Sequence, residues 1–331
     1  MRVVAWRWLS VIAFASLLAP ALAGAPTETS AADSRAWLGR IHKAANESNY
    51  QGTLVYSANG VLSSSRVAHF CVGSQSYERL ESLDGRQQRI YRLNDVVHTL
   101  WPQAHLAVIE KRGVFSNLPS STQTVEPRAL EQYEFRAEGA DRVAGRDALV
   151  FLLQPRDEMR YAQRLWADKA TGLMLRADVI GPGRQVLEST AFSEVEIGVR
   201  PQPDSVTQAL RRLDGYRIVR PMQQHTQLEA EGWSLAKPVA GFKFAACMKR
   251  SLEAPDAPSN APVLQAVFSD GVTQVSLFIE AYDGRTTTAP IAPMGATNTL
   301  RQRRGDHLIT VMGDVPVGTL QAFSEALERK H

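Results

Sequence analysis

His69 and Cys71 stand two residues apart in the segment VAHFCV, a spacing that puts both side chains on one face of an extended strand. An imidazole beside a thiol is the arrangement that activates a cysteine nucleophile. The same spacing is also that of neighbours on any packed strand face, and that is the preferred reading. Asp157, Glu158 and Asp168 are a second candidate, as carboxylates for general acid–base work. They sit beside turns, where carboxylates commonly cap backbone donors, so a catalytic pair is unsupported. His42, His98, His105, His225, His307 and His331 form no metal-ligand cluster by spacing. Gly-x-Ser-x-Gly, His-Glu-x-x-His, a phosphate loop and Cys-x-x-Cys are all absent. The expectation is a binding protein without a cofactor, not an enzyme.

The elements that would position binding residues are plainest between Asp147 and Ile180. Ala148 to Leu153 is an apolar run closed by Pro155, and Arg160 to Ala167 begins a second extended segment. Asp168 to Gly172 supplies the turn, and the next segment alternates, with Leu173, Leu175, Ala177 and Val179 on one face. Three consecutive antiparallel strands follow. Upstream, Asp33 or Ser34 is placed to cap a helix whose stripe is Trp37, Leu38, Ile41, Ala44 and Ala45. From Tyr50 the period changes to two. Asn59-Gly60, Asp84-Gly85 and Asn94-Asp95 recur as turn signals through Ile109, predicting a meandering sheet or barrel. Residues 112–131 interrupt that rhythm as a surface loop or a flap, with a short helix starting at Pro127.

With 331 residues the chain exceeds one ordinary core, so two domains are expected. The first spans residues 33–198. Residues 199–231 are a stiff basic linker carrying Arg211, Arg212, Arg217 and Arg220, and residues 232–331 form a smaller sheet covered by a helix from Pro316 that buries Val317, Leu320, Phe323 and Leu327. Trp233 to Val239 is the first strand candidate there. A net charge of +3 gives no bulk attraction to nucleic acid. Arg2 and Arg7, an apolar core from Leu9 to Ala19, and Ala21-Leu-Ala23 make residues 1–23 a signal peptide, so export and cleavage near Ala23 are expected. In an oxidising compartment Cys71 and Cys247 are permitted to pair, which would add at most about 5 kcal/mol. Spacing leaves that bond open, as it leaves open whether the chain forms a homo-oligomer.

A curved antiparallel sheet with a helix across it makes a concave apolar pocket suited to acyl chains or an extended peptide. Leu54, Tyr56, Phe70, Tyr91, Trp101, Phe151, Leu165, Trp166 and Leu173 are the candidate wall. A closed core made of the same residues is the competing reading.

The blocks PRDEMRYAQRLWADKATGLMLRADV, VAGRDALVF, GWSLAKPVAGFK, FSDGVTQVSLFIE and GATNTLRQRRGDHLITVMGDVPVGTLQAFSEAL resemble, in order and across the mature chain, the MucB/RseB family of periplasmic sigma-E regulators. That resemblance implies a mainly β (α+β) fold: a large unclosed antiparallel β-barrel of lipoprotein-carrier (LolA/LolB-like) type with packed helices, plus a small sheet-and-helix domain. It implies a periplasmic partner, the exposed segment of a membrane-spanning anti-sigma factor (RseA/MucA-like) that members shield from site-one proteolysis. It also implies release by lipopolysaccharide or lipoprotein acyl chains. Arg301, Arg303 and Arg304 in TLRQRRG, with Arg211 and Arg212, become candidate contacts to the partner or to a phosphate. A periplasmic lipoprotein carrier or chaperone is the alternative the same first-domain fold allows.

Overall fold

The computed structural model describes residues 31–111, 125–250, 262–282, 284 and 293–330; the expected signal peptide and most of the expected flap lie outside these. Helix α1 (Ala31–Glu47) comes first. It is followed by β1 (Tyr50–Ala58), β2 (Val61–Val72), β3 (Gln75–Ser82), β4 (Arg89–Leu93), β5 (Val96–Trp101) and β6 (Leu106–Lys111). After a 3-10 turn at Pro127–Glu131 come β7 (Tyr133–Val143), β8 (Arg146–Pro155), β9 (Ala162–Asp168), β10 (Met174–Ile180), β11 (Val186–Ile197), α2 (Asp204–Arg211) and β12 (Arg217–Val219). The second half holds β13 (Gln223–His225), β14 (Trp233–Leu235), β15 (Lys243–Arg250), β16 (Val263–Ser269), β17 (Gln274–Ala281), β18 (Asn298–Arg304), β19 (His307–Gly313), α3 (Val317–Ala326) and β20 (Leu327–Arg329).

Local sequence rules account for the meander. Asn59 and Gly60 adopt φ of 51° and 76°, the left-handed pair that a two-residue hairpin needs, and Ala58 pairs directly with Val61. The strands assemble into a 12-stranded sheet in the order β12-β6-β5-β4-β3-β2-β1-β11-β10-β9-β8-β7, whose end strands do not pair, so the barrel is unclosed. Only β12 joins in parallel, against Leu106 to Val108. Helix α1 buries Leu38 and Ile41 against Phe135, Phe151, Leu153 and Leu165. Ser34 is not a cap: it lies inside the helix and donates its hydroxyl to the Phe135 carbonyl at 3.3 Å.

The second sheet has six strands in the order β13-β15-β16-β17-β19-β18, with α3 over a core that includes Val275, Leu277, Ile309, Leu320 and Phe323. The expected strand from Trp233 to Val239 is only Trp233–Leu235, paired with β20 outside the six-stranded sheet. Val317 is 48% exposed at the start of α3, and Thr319 is the residue buried in its place. Residues 199–231 carry ordered elements. Val206 of α2 is fully buried with Phe70, Tyr91 and Leu100, β12 completes the first sheet, and β13 begins the second.

The cysteines do not pair. Cys71 on β2 donates its thiol to the Asn46 carbonyl at 3.1 Å, while Cys247 on β15 is buried in the second core. Each thiol sits among partners of its own half of the chain, Cys71 against α1 and Cys247 in the second core, and the bond left open by the sequence is not made.

Candidate functional site

The two sheets meet along a seam whose polar centre is the β8–β9 connection. Arg160 donates from Nε to Asp270 Oδ2 at 2.8 Å, from Nη1 to Asp157 Oδ2 at 2.5 Å and from Nη2 to the Ala240 carbonyl at 2.8 Å. Its guanidinium also lies 4.6 Å over the Phe242 ring. The Arg160 and Asp270 side chains are both 0% exposed. Tyr133 donates its hydroxyl to the same Asp270 oxygen at 3.0 Å. Burial first, then the Asp270 charge, push the Tyr133 phenol far above its ordinary pKa, so it stays a donor.

Backbone and packing contacts surround this cluster. Glu126 N–H donates to the Gly271 carbonyl at 2.9 Å, and Arg128 donates to the Ser269 carbonyl at 3.3 Å. Val272 of the second domain is counted in the first-domain core with Tyr133 and Ala129. Further along, Thr319 donates to the Met159 carbonyl at 2.7 Å and Asn298 donates to the Tyr161 hydroxyl at 3.0 Å. At another point Glu188 accepts from Tyr56 at 3.1 Å and from the Ala296 amide at 3.4 Å. On β6, Glu110 accepts from Arg250 at 3.0 Å and from Gln223 at 3.2 Å.

A second feature is a cavity of about 290 Å³ between α2 and β4–β5. Ser205, Gln208, Ala209 and Arg212 reach it from one face of α2, and Arg89, Tyr91, Leu100 and Tyr216 complete its wall. The Tyr91 hydroxyl donates to Glu81 at 2.8 Å. Burial, reinforced by the Arg220 charge, lowers the pKa of nearby His98, which is therefore neutral near pH 7.

The expected acyl wall is not brought together. Tyr91 alone of those residues lines the cavity; Phe70 lies in the core beneath it. Phe151 and Leu165 pack in the α1 core, with Phe151 stacked on Phe135 at 4.7 Å. Leu54 and Trp166 belong to a third cluster with Leu175 and Phe192. Trp166 also donates to Asp141 at 2.9 Å under the Arg176 guanidinium. Tyr56 is at the seam, Leu173 is buried at the β9–β10 turn, and Trp101 is half-buried at the end of β5.

The arginines divide as well. Arg212 faces the cavity and Arg211 is exposed on the last turn of α2. Arg304 is occupied by the Ser324 and Leu327 carbonyls, where it closes the end of α3. Arg303 lies 4.7 Å over Tyr282 and donates to the Gly305 carbonyl, and Arg301 is half-buried on the edge strand β18.

The residues first considered for catalysis have structural partners. His69 is 2% exposed, bonds the Ser48 carbonyl through Nδ1 at 2.7 Å and stacks on Tyr50. Burial raises the Cys71 thiol pKa, the opposite of what a nucleophile needs. Asp168 accepts from Thr171 N–H and from Arg146, closing the β9–β10 turn as its turn position implied. Asp157 accepts from Met159 N–H and pairs with Arg160. The seam residues Tyr133, Arg160, Glu188 and Asp270 were not singled out from sequence. The signal available is Asp270-Gly271, a dipeptide that specifies a tight turn locally and carries no mark of a partner across the seam. Among the described residues, no cluster of His, Cys, Asp and Glu is arranged to hold a metal ion, and no helix is long and apolar enough to cross a membrane.

Comparison with known proteins matches residues 33–210 to the MucB/RseB N-terminal domain and residues 227–328 to the MucB/RseB C-terminal domain. The sigma factor AlgU regulatory protein MucB of Pseudomonas aeruginosa is 29% identical over 304 residues, 88% of this chain and 90% of that protein. The sigma-E factor regulatory protein RseB of Haemophilus influenzae is 25% identical over 313 residues, 95% of each chain. Among solved structures, the Pseudomonas aeruginosa MucA/MucB complex matches with a TM-score of 0.68 at 25% identity, covering 90% of this chain and 99% of that one. The two domain models, matched one after the other over most of its length, place the chain in the MucB/RseB family.

Proposed function

We propose that this protein binds the periplasmic segment of an anti-sigma factor, shields it from site-one proteolysis and so restrains the envelope stress response. The observation that carries the reading is full-length correspondence, both domains together, to a MucB that has been solved in complex with MucA. The role is stoichiometric binding and calls for no turnover. The signal-peptide pattern of residues 1–23 supports a periplasmic address.

Arg211, Arg212, Arg301 and Arg303 are the proposed partner or phosphate contacts, while Arg304 is committed to α3. A lipid-like signal is the proposed competitor. Of the acyl contacts considered, Tyr91 is reachable from the α2 cavity; an acyl chain would reach the buried ones only by parting a core. The test is cleavage of a purified anti-sigma ectodomain by its site-one protease with increasing amounts of this protein. Cleavage should slow to a plateau at one equivalent. Unchanged kinetics at saturation sink the reading. Transfer of a lipoprotein to an acceptor, without affinity for the anti-sigma segment, selects a carrier instead.

A further inference from the structure

The Asp270 carboxylate divides its two oxygens between the domains. Oδ1 accepts from the amides of Val272 and Thr273, each at 2.8 Å, and so folds its own β16–β17 turn. Oδ2 accepts from Tyr133 and Arg160 of the other domain. Arg160 is divided in the same way: Asp157 is its partner at home, and Asp270 and the Ala240 carbonyl are its partners across the seam. If the domains part, Asp270 keeps its turn amides and Arg160 keeps Asp157. Neither charge is stripped of every partner, which is the condition that makes rupture of a buried pair prohibitive.

The rest of the second domain's attachment supplies the other half of a device. The chain crosses between the sheets from β12 to β13, and Glu110 binds Arg250 and Gln223 there. Arg250 pairs with Val263 at one end of the β15–β16 ladder, and Lys243 pairs with Ser269 at the other, beside the Asp270 turn. At about 3.3 Å per residue, the length of β15 separates those ends by roughly 23 Å. The strap and the charged turn therefore sit at opposite ends of the same strand.

We propose that Ser269–Thr273 is a reversible latch and the β12–β13 crossing its hinge, so that the turn withdraws from the first domain as a unit while both sheets stay folded. Withdrawal takes Val272 out of the first-domain core, breaks the Glu126 to Gly271 hydrogen bond and also releases the Thr319–Met159, Asn298–Tyr161 and Glu188–Ala296 contacts along the same seam. The turn itself favours a glycine at 271, and closure leaves little room beside it. With φ at +97°, an added Cβ would lie 3.0 Å from Arg128 Cγ and 3.3 Å from Ala129 N. The latch is a property of the chain alone and does not rest on the proposed partner.

Backbone hydrogen exchange of the full-length protein, without partner, tests it. In the wild type, the Glu126 amide, whose partner is the Gly271 carbonyl across the seam, should exchange faster than the ladder amides of β8–β9 and β16–β17, while the Val272 and Thr273 amides keep their bonds to Asp270 Oδ1. Asp270→Asn weakens the charged contact, and Gly271→Ala crowds the closed one without touching charge. Each should speed exchange of Glu126 by about tenfold or more, a shift of 1.4 kcal/mol per decade, and leave the ladder amides at wild-type rates. A Glu126 amide as slow as the ladders in the wild type overturns the proposal. So does acceleration confined to 271–273 with Glu126 unchanged, or equal acceleration of both sheets.

Discussion

Replacing Arg160 by Met removes the one guanidinium bonded to Asp270 among the described residues while keeping a flexible apolar side chain over the Phe242 ring. The Asp270 side chain is 0% exposed, so water does not reach it in the closed form, and Tyr133 becomes its remaining donor at Oδ2. Stranding a buried carboxylate in this way costs about 3–5 kcal/mol. Asp157, the other anion Arg160 holds, has a side chain 35% exposed and rehydrates, so it adds little. In an Asp270→Leu background the same Arg160→Met change strands nothing and should cost about 1 kcal/mol or less. The Asp270→Leu variant pays separately for the lost acceptor of the Val272 and Thr273 amides, about 1–3 kcal/mol. Urea unfolding followed by tryptophan fluorescence measures all four corners of this cycle. At a slope of about 2 kcal/mol/M, Arg160→Met alone should move the midpoint down by about 1.5–2.5 M. An equal cost in both backgrounds would show that packing, and not the buried charge, holds the seam, and would refute the reasoning.

Two further outcomes concern the thiols and Asp168. Native protein should carry two free thiols: mass measurement after alkylation without reductant should add a label slowly at Cys71, which is partly exposed, and at Cys247 only after unfolding. Acidification should release the contribution of Asp168. Burial pushes its carboxyl pKa up, but the bonds from Arg146 and Thr171 outweigh that and leave it below the usual carboxylate value. A depressed folded pKa gives stability that is complete above the unfolded value, near 3.9, and is lost as pH falls through the folded one. The difference in melting temperature between wild type and Asp168→Asn should therefore be constant above about pH 5 and shrink below pH 4.

The meander was legible because its signals are local. Asn59-Gly60 and Asp168 to Gly172 specify reversals through backbone angles and short carboxylate bonds, and neither depends on the rest of the chain. The same holds for the stripe of α1, whose Leu38 and Ile41 are fully buried as their spacing required. Where a residue's role was set by distant partners, sequence misled. Residues 199–231 read as a linker from proline and arginine content. Val206, an unremarkable residue in that stretch, anchors α2 because Phe70, Tyr91 and Leu100 of distant strands offer it a place.

The seam was illegible for a related reason, and that reason bears on how the protein works. A residue that folds its own turn and also bonds another domain leaves only the first role in local sequence. Asp270-Gly271 satisfies every rule for a hairpin turn, so nothing in the pattern demands a second reading. The glycine also carries an interdomain role that its local φ of +97° hides, since the atoms an added Cβ would crowd belong to Arg128 and Ala129. The polar pairs across the boundary join sequence-distant segments: Arg160 to Asp270, Arg250 to Glu110 and Asn298 to Tyr161. In the proposed latch, two sheets joined this way change the relation between the domains without either unfolding. Single-residue changes at the joint should then alter that relation first and the stability of each sheet second.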